Sequence, residues 1–223
     1  MERTGVGFMG IPTVPEMVAI AQRAETLGYE SAWVAETRIA RDAIVPMTAD
    51  TAVPLYLGVT GPKALRLAGE CADGVLLNGF MSTAYVSDAI RRISDGLRGS
   101  GRDVPDPEVI AMLVVSVDED AAHAKDQARR LLATYLALFP NVAAATGLPS
   151  EQVAGTRERF FAAGPDEAAR TVPDAWVEAH TVAGTPEECR DRIAEYRAAG
   201  ATTAVLCPIG PDPMAAVEAL APR

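Results

Sequence analysis

The sequence predicts an α/β fold of parallel strands, and within that class a (β/α) barrel with fewer strands than the usual eight. Three observations carry this reading. Strand-like and helix-like segments alternate along the chain with glycine-rich joints between them, the pattern of parallel strands joined by right-handed crossovers. Residues 53–78, VPLYLGVTGPKALRLAGECADGVLLN, read as strand, glycine turn, helix and strand with no spare residues. An irregular stretch at about 140–183 precedes one last helix–strand unit, which favours a barrel over an open sheet. In either arrangement ligands bind at the carboxyl ends of the strands.

The elements follow in order. Residues 4–11 (TGVGFMGI) form the first strand, and residues 15–27 a helix with Met17, Val18, Ala21, Ala24 and Leu27 at helical spacing, closed by Gly28. Residues 31–35 (SAWVA) are the second strand, followed by Glu36-Thr37-Arg38 and a short helix at about 39–49. The run at 53–59 is β-branched and aromatic, the composition of a strand buried on both faces, and it stops at Thr60-Gly61-Pro62. Proline is favourable at a first helical position because that N–H has no intrahelical partner. Ala64, Leu65, Leu67, Ala68 and Cys71 then make an apolar helix face, and Ala72-Asp73-Gly74 turns the chain into the strand 74–78.

A helix at 85–97, a strand at 109–117 and a long helix at about 119–138 come next. The irregular stretch holds two helical pieces and is a candidate lid. Thr185-Pro186-Glu187-Glu188 is a capping box, Cys189, Ile193 and Tyr196 share one helix face, Gly200 ends the helix, and 202–208 is the sixth strand. Pro54 at a strand start is compatible with a sheet edge.

Composition bounds the function. With 223 residues, 49% hydrophobic and 22% charged, the chain is expected to form a single domain over 1–223, with the helical insert at about 140–183. A formal net charge of −10 without a basic patch argues against nucleic acid or an anionic membrane surface as a partner. No apolar run reaches the roughly 20 residues of a membrane span. Met1-Glu2-Arg3 leads straight into a strand rather than a signal peptide, so a cytoplasmic protein is expected. Cys71, Cys189 and Cys207 show no CxxC or Cys/His spacing, so neither a disulfide framework nor a metal site is indicated, and all three are expected to be reduced and buried. His123 and His180 lie in polar surroundings and are expected at the surface.

The chemical candidate is the turn Thr60-Gly61-Pro62. Glycine lets backbone approach an anion, and the N-terminus of the following helix carries partial positive charge, so the turn is suited to a phosphate. The alternative is a plain tight connection between strand and helix.

Residues 53–78, together with WVAETR (33–38) and VAGTPEECRDRIAEYRAAGATTAVLCPIG (182–210), resemble the luciferase-like monooxygenase superfamily, in the branch of coenzyme F420-dependent oxidoreductases similar to methylenetetrahydromethanopterin reductase. The resemblance covers nearly the whole chain, and its most specific part is the first of these stretches. It implies a shortened TIM-like (β/α) barrel of the bacterial luciferase type that binds coenzyme F420, or alternatively FMN, and moves a hydride between the ring and a small organic substrate. Carried over residue by residue, it places Thr60, Gly61 and Pro62 at the cofactor phosphate and Asn78 on the wall of the same pocket. Lys63 and Arg66 add charge there, although Lys63 can equally be solvated.

Glu36, following the second strand, is the candidate catalytic carboxylate, a proton donor or acceptor. The family often has a histidine after this acid, and Thr37 stands here instead. Pairing with Arg38 or Arg41 is the competing role for Glu36. Phe8 and Met9 end the first strand and pack either on a ring face or in the core, and Cys207 is read as structural.

Six strands are expected where the family has eight. Two βα units that relatives carry between the second strand and the strand 53–59 are missing, with only about 17 residues in between. Unpaired apolar edges at those two strands invite dimerisation or aggregation, and a homodimer that completes the site at its interface is expected. The alternatives are a non-catalytic cofactor-binding protein with a degenerate ring pocket, and a deleted relative without function.

Overall fold

The computed structural model describes residues 3–8, 14–34 and 55–222. Met9, Glu36 and the helix expected at 39–49 lie outside the described residues. β1 (Arg3–Phe8), α1 (Val14–Thr26) and β2 (Ser31–Val34) open the fold, followed by β3 (Tyr56–Gly58), α2 (Pro62–Cys71), β4 (Gly74–Leu77), α3 (Thr83–Ser100) and β5 (Glu108–Val117). Then come α4 (Ala121–Leu138), α5 (Pro140–Thr146), α6 (Ser150–Ala163), α7 (Pro165–Ala169), α8 (Asp174–His180), β6 (Val182–Gly184), α9 (Pro186–Ala198), β7 (Thr203–Pro208) and α10 (Pro213–Ala219).

All strand pairs are parallel, in the order β2-β1-β7-β5-β4-β3, with β6 beside the last residues of β5. Among the described residues this is the order of a (β/α) barrel without two neighbouring strands between β2 and β3: a half-barrel. Among the described residues β2 pairs only with β1, and β3 only with β4. The six expected strands are present, and β6 is a seventh within the stretch expected to be helical. Its three residues are too few to show alternation.

Local sequence accounts for the helices. Thr185 accepts from the Glu188 N–H while the Glu188 carboxylate accepts from the Thr185 N–H, so the capping box starts α9 as read. Ser82 caps α3, and Gly101 ends it in the left-handed conformation. α2 and α3 cross at two glycines. A Cβ on Gly69 would lie 1.9 Å from the Ile93 carbonyl oxygen, and one on Gly96 2.0 Å from that of Arg66.

The two faces of the sheet differ. On the helix side Val6, Phe8, Val75, Leu77, Val109, Ala111, Leu113, Ala204 and Leu206 join the helices in the main core. On the concave side Ile110, Met112, Val205 and Cys207 form a small cluster against Trp33, Tyr56 and Leu76. After Arg3 at the amino end, β1 gives this face Gly5 and Gly7. A Cβ on Gly5 would stand 2.9 Å from Trp33 Nε1, and one on Gly7 2.5 Å from Cys207 Sγ, so side chains of β2 and β7 fill the space over β1. The Tyr56 ring covers Gly74 in the same way, and the Trp33 and Tyr56 rings meet edge-on at 6.4 Å across the open side. At the amino end the Tyr56 hydroxyl donates to Glu108 at 2.8 Å, and Glu108 also pairs with Arg3.

A second core links α4 through α8 to the carboxyl ends of the strands: Leu132, Leu136, Val142, Trp176 and Val177 pack with Phe80, Met81, Val114 and Ile209. Val114 alternates in phase with Ile110 and Met112, so these helices meet the sheet on its concave side.

Phe8 takes the second of its two expected places, and the expectation that Cys71 is buried is corrected. Phe8 faces the helices and is 3% exposed in the main core, because Gly5 and Gly7 hold the concave side of β1. Cys71 is exposed: β3 is the last strand of the sheet among the described residues, so one flank of α2 is left in solvent, and Leu67 is exposed with it. Cys189 and Cys207 are buried, and burial pushes both thiols up to about 12. Native protein is therefore expected to take up one equivalent of maleimide at pH 7, and three in denaturant. Rapid labelling of more than one thiol in the folded state would contradict this burial. Among the described residues no helix is long and apolar enough to cross a membrane.

Candidate functional site

The candidate site lies where β3 and β4 end side by side. Gly58 pairs with Leu76, and the Val59 N–H donates to the Leu76 carbonyl. Two residues further along each chain stand Thr60 and Asn78, so the register brings the two expected pocket residues to the same level.

Gly61 is the N-cap of α2 with extended backbone (φ −83°, ψ 149°) and no side-chain cap, and Pro62 opens the helix. The first-turn N–H groups that a capping side chain would take are left for another acceptor. A Cβ on Gly61 would meet nothing within 4 Å, so the turn faces open space. Lys63 is exposed and has no ion-pair partner among the described residues, whereas Arg66 pairs with Glu70. The Tyr85 hydroxyl, from α3, donates to the Thr60 carbonyl at 2.5 Å and holds the turn, and burial pushes this phenol up to about 12. An uncapped helix start, an open glycine and an unpaired ammonium are the donor set that suits a phosphate.

On the β4 side, Asn78 Oδ1 accepts from the Gly79 N–H at 2.8 Å. Phe80 then takes φ 65°, a left-handed conformation that costs a non-glycine residue about 1–2 kcal/mol. Its ring is buried against Tyr135, with ring centroids 4.7 Å apart. Its carbonyl accepts from His180 Nδ1 at 3.0 Å, and the Met81 carbonyl accepts from the Tyr196 hydroxyl at 2.8 Å.

His180 is thus buried rather than at the surface, while His123 is exposed beside Asp118. Sequence reading missed Tyr85, His180 and Tyr196 as supports of the site, and no local pattern marks them. Thr60, Gly61, Pro62, Lys63 and Asn78 come together; Phe8 does not join them, and Glu36 and Met9 are outside the described residues.

Burial holds the His180 pKa below its ordinary value, with Arg192 adding to the effect and the Phe80 carbonyl opposing it. Below about pH 6.5 the unfolded chain takes up this proton before the folded one does, so stability falls as the pH drops toward the depressed value. Urea unfolding between pH 7.5 and 5.5 is expected to show a loss of up to about 1.4 kcal/mol per pH unit from this group, and His180→Asn should remove that part. An identical slope in the variant would contradict it.

The family model for luciferase-like monooxygenases matches residues 43–203. The chain belongs to this family. It is 34% identical over 169 residues to 5,10-methylenetetrahydromethanopterin reductase of Methanolobus tindarius, covering 74% of this chain and 52% of the relative. Among solved structures, the coenzyme F420 dependent tetrahydromethanopterin reductase of Methanopyrus kandleri superposes with a TM-score of 0.65 at 30% identity, over 76% of this chain and 49% of that one. The chain spans about half the length of the curated relatives it matches. Flavoprotein 390 superposes over 99% of this chain and 94% of its own with a TM-score of 0.59, at 14% identity. That likeness concerns the fold alone.

Proposed function

We propose that this chain is an oxidoreductase that binds coenzyme F420 by its phosphate at the Thr60–Lys63 turn and passes a hydride between the cofactor and a small organic substrate. The observation that carries the reading is the uncapped, open start of α2 at Gly61, with Lys63 unpartnered among the described residues. Membership of the luciferase-like family and 30% identity to a solved F420 dependent reductase support F420 as the cofactor. When bound, the cofactor supplies the hydride chemistry, and the chain's own residues bind, orient and handle protons.

Thr60, Gly61 and the α2 N-terminus hold the phosphate, Lys63 adds charge, and Asn78 lines the pocket wall with its amide. Glu36 is the proposed proton donor or acceptor, and Met9 the apolar contact to the ring. Phe8 contributes core packing instead. The sides of β2 and β3 that meet no strand among the described residues support a homodimer, and the free thiols of Cys71, Cys189 and Cys207 suit the cytoplasm.

Thermal unfolding with F420 or with FMN tests the reading. At 100 times the dissociation constant the bound state gains about 2.7 kcal/mol, which for a chain of this size is a rise of about 5–11 °C in Tm. F420 is expected to produce it, and a rise with FMN alone would reassign the cofactor. No rise with either would sink the proposal. A protein that binds F420 yet never exchanges a hydride with it, whatever small-molecule donor or acceptor is offered, would be a binder and not an enzyme.

A further inference from the structure

The β4–α3 loop, residues 78–82, borders the proposed pocket, and two buried groups from far along the chain act on it. Phe80 is the only non-glycine residue with positive φ among the described residues. The hydrogen-bond donors to its carbonyl and to the next one, His180 and Tyr196, stand 100 and 115 residues away from their acceptors. They are 4% and 1% exposed, so water does not compete for either bond and both are strong for their length. The carbonyl can only accept, which fixes His180 as the tautomer with its proton on Nδ1. The loop thus has its strained residue fastened on two consecutive carbonyls by α8 and α9. A backbone free to relax at Phe80 would rotate the residues before it, which are Asn78 and Gly79.

We infer that His180 and Tyr196 are positioning residues: they fix the left-handed turn at Phe80 and thereby set where Asn78 and Gly79 stand relative to the Thr60–Lys63 turn. This rests on the reading of that turn as the cofactor phosphate site. Neither residue touches the pocket; each acts through the loop backbone. A leucine and a phenylalanine would fill the same volumes but would leave two buried carbonyls without donors, free to turn elsewhere. What the donors add is a defined backbone conformation.

The test uses three variants of the full chain. Tyr196→Phe removes one oxygen, His180→Leu removes the donor, and His180→Asn keeps a donor near the place of Nδ1. Dissociation constants for F420 and FMN are measured by fluorescence titration, and amide exchange of residues 78–82 is followed in ligand-free protein. Tyr196→Phe and His180→Leu are each expected to weaken binding about tenfold, roughly one hydrogen bond, and to speed exchange in 78–82 by a similar factor. His180→Asn is expected to lie within about threefold of wild type, a rescue that a bulk packing role would not produce.

Wild type that binds while Tyr196→Phe binds equally well overturns the inference and leaves the cofactor reading intact. Wild type that binds neither cofactor overturns the cofactor reading. The fastening of the loop is then decided by exchange: unchanged exchange at 78–82 in Tyr196→Phe overturns it, and acceleration confined to those residues upholds it. If His180→Leu does not fold, Tyr196→Phe and His180→Asn decide by the same criteria.

Discussion

Gly61→Asp is expected to abolish stabilisation by the cofactor while leaving the ligand-free protein at least as stable as wild type. The two effects separate because of where Gly61 sits. It is the N-cap of α2, its backbone is already extended, and a side chain there meets nothing within 4 Å. Aspartate is among the preferred residues at such a position, better than glycine by a few tenths of a kcal/mol. The new carboxylate would take the first-turn N–H groups for itself and place negative charge where a phosphate would bind. Forfeiting two charge-assisted hydrogen bonds at about 1.5 kcal/mol each corresponds to a loss of roughly 100-fold in affinity. Titration with F420 and a thermal melt without ligand check both halves. Unchanged affinity would remove the phosphate from this turn; a drop in ligand-free Tm would mean that the N-cap geometry is wrong.

The largest effect on stability is expected at the crossing of α2 and α3. Alanine is a better helix former than glycine by about 1 kcal/mol, so Gly69→Ala would stabilise an isolated helix. Here the added Cβ would lie 1.9 Å from a backbone carbonyl oxygen, which cannot swing aside as a side chain can. The helices must separate, and the steric cost outweighs the propensity gain, for a net loss of about 3 kcal/mol, or roughly 6–12 °C in Tm. Gly96→Ala meets the Arg66 carbonyl in the same way. The double variant should lose less than the sum, because one separation accommodates both methyl groups. Gly155→Ala, exposed in the middle of α6 with nothing within 4 Å, is the control and should gain stability. Equal Tm values for Gly69→Ala and Gly155→Ala would contradict the close crossing.

Particular residues show what the sequence made legible. The Thr60–Pro62 turn and the Thr185–Glu188 cap could be read because glycine, proline and capping side chains act within a few residues of themselves, and both appear where expected. Strand order was legible as far as parallel crossovers dictate it, and so, among the described residues, was the missing pair between β2 and β3. The face that Phe8 takes was not: β1 is buried on both sides, so alternation carries no signal, and only the packing of Trp33 and Cys207 over Gly5 and Gly7 reveals it. Cys71 and Leu67 share a helix with buried Leu65 and Ala68, yet stand on the flank where the sheet stops. His180 and Tyr196 left no local trace, because a buried donor and the carbonyl it serves can lie 100 residues apart with no periodicity to connect them.

The pairing of β1 with β7 has a consequence for how the chain is made. Arg3 stands opposite Thr203, 200 positions further along the chain. At about 5–20 residues per second of synthesis, β1 emerges roughly 10–40 s before the strand that will flank it. Until then β1, α1 and β2 have each other alone, because β2 reaches no further strand among the described residues. The Tyr29 hydroxyl likewise waits for the Val217 carbonyl, and Arg23 for Glu218. Of the described elements the β1–α1–β2 unit is made first and among the last to be completed, so the yield of folded protein depends on how well those apolar strands are shielded until β7 and α10 have been synthesised.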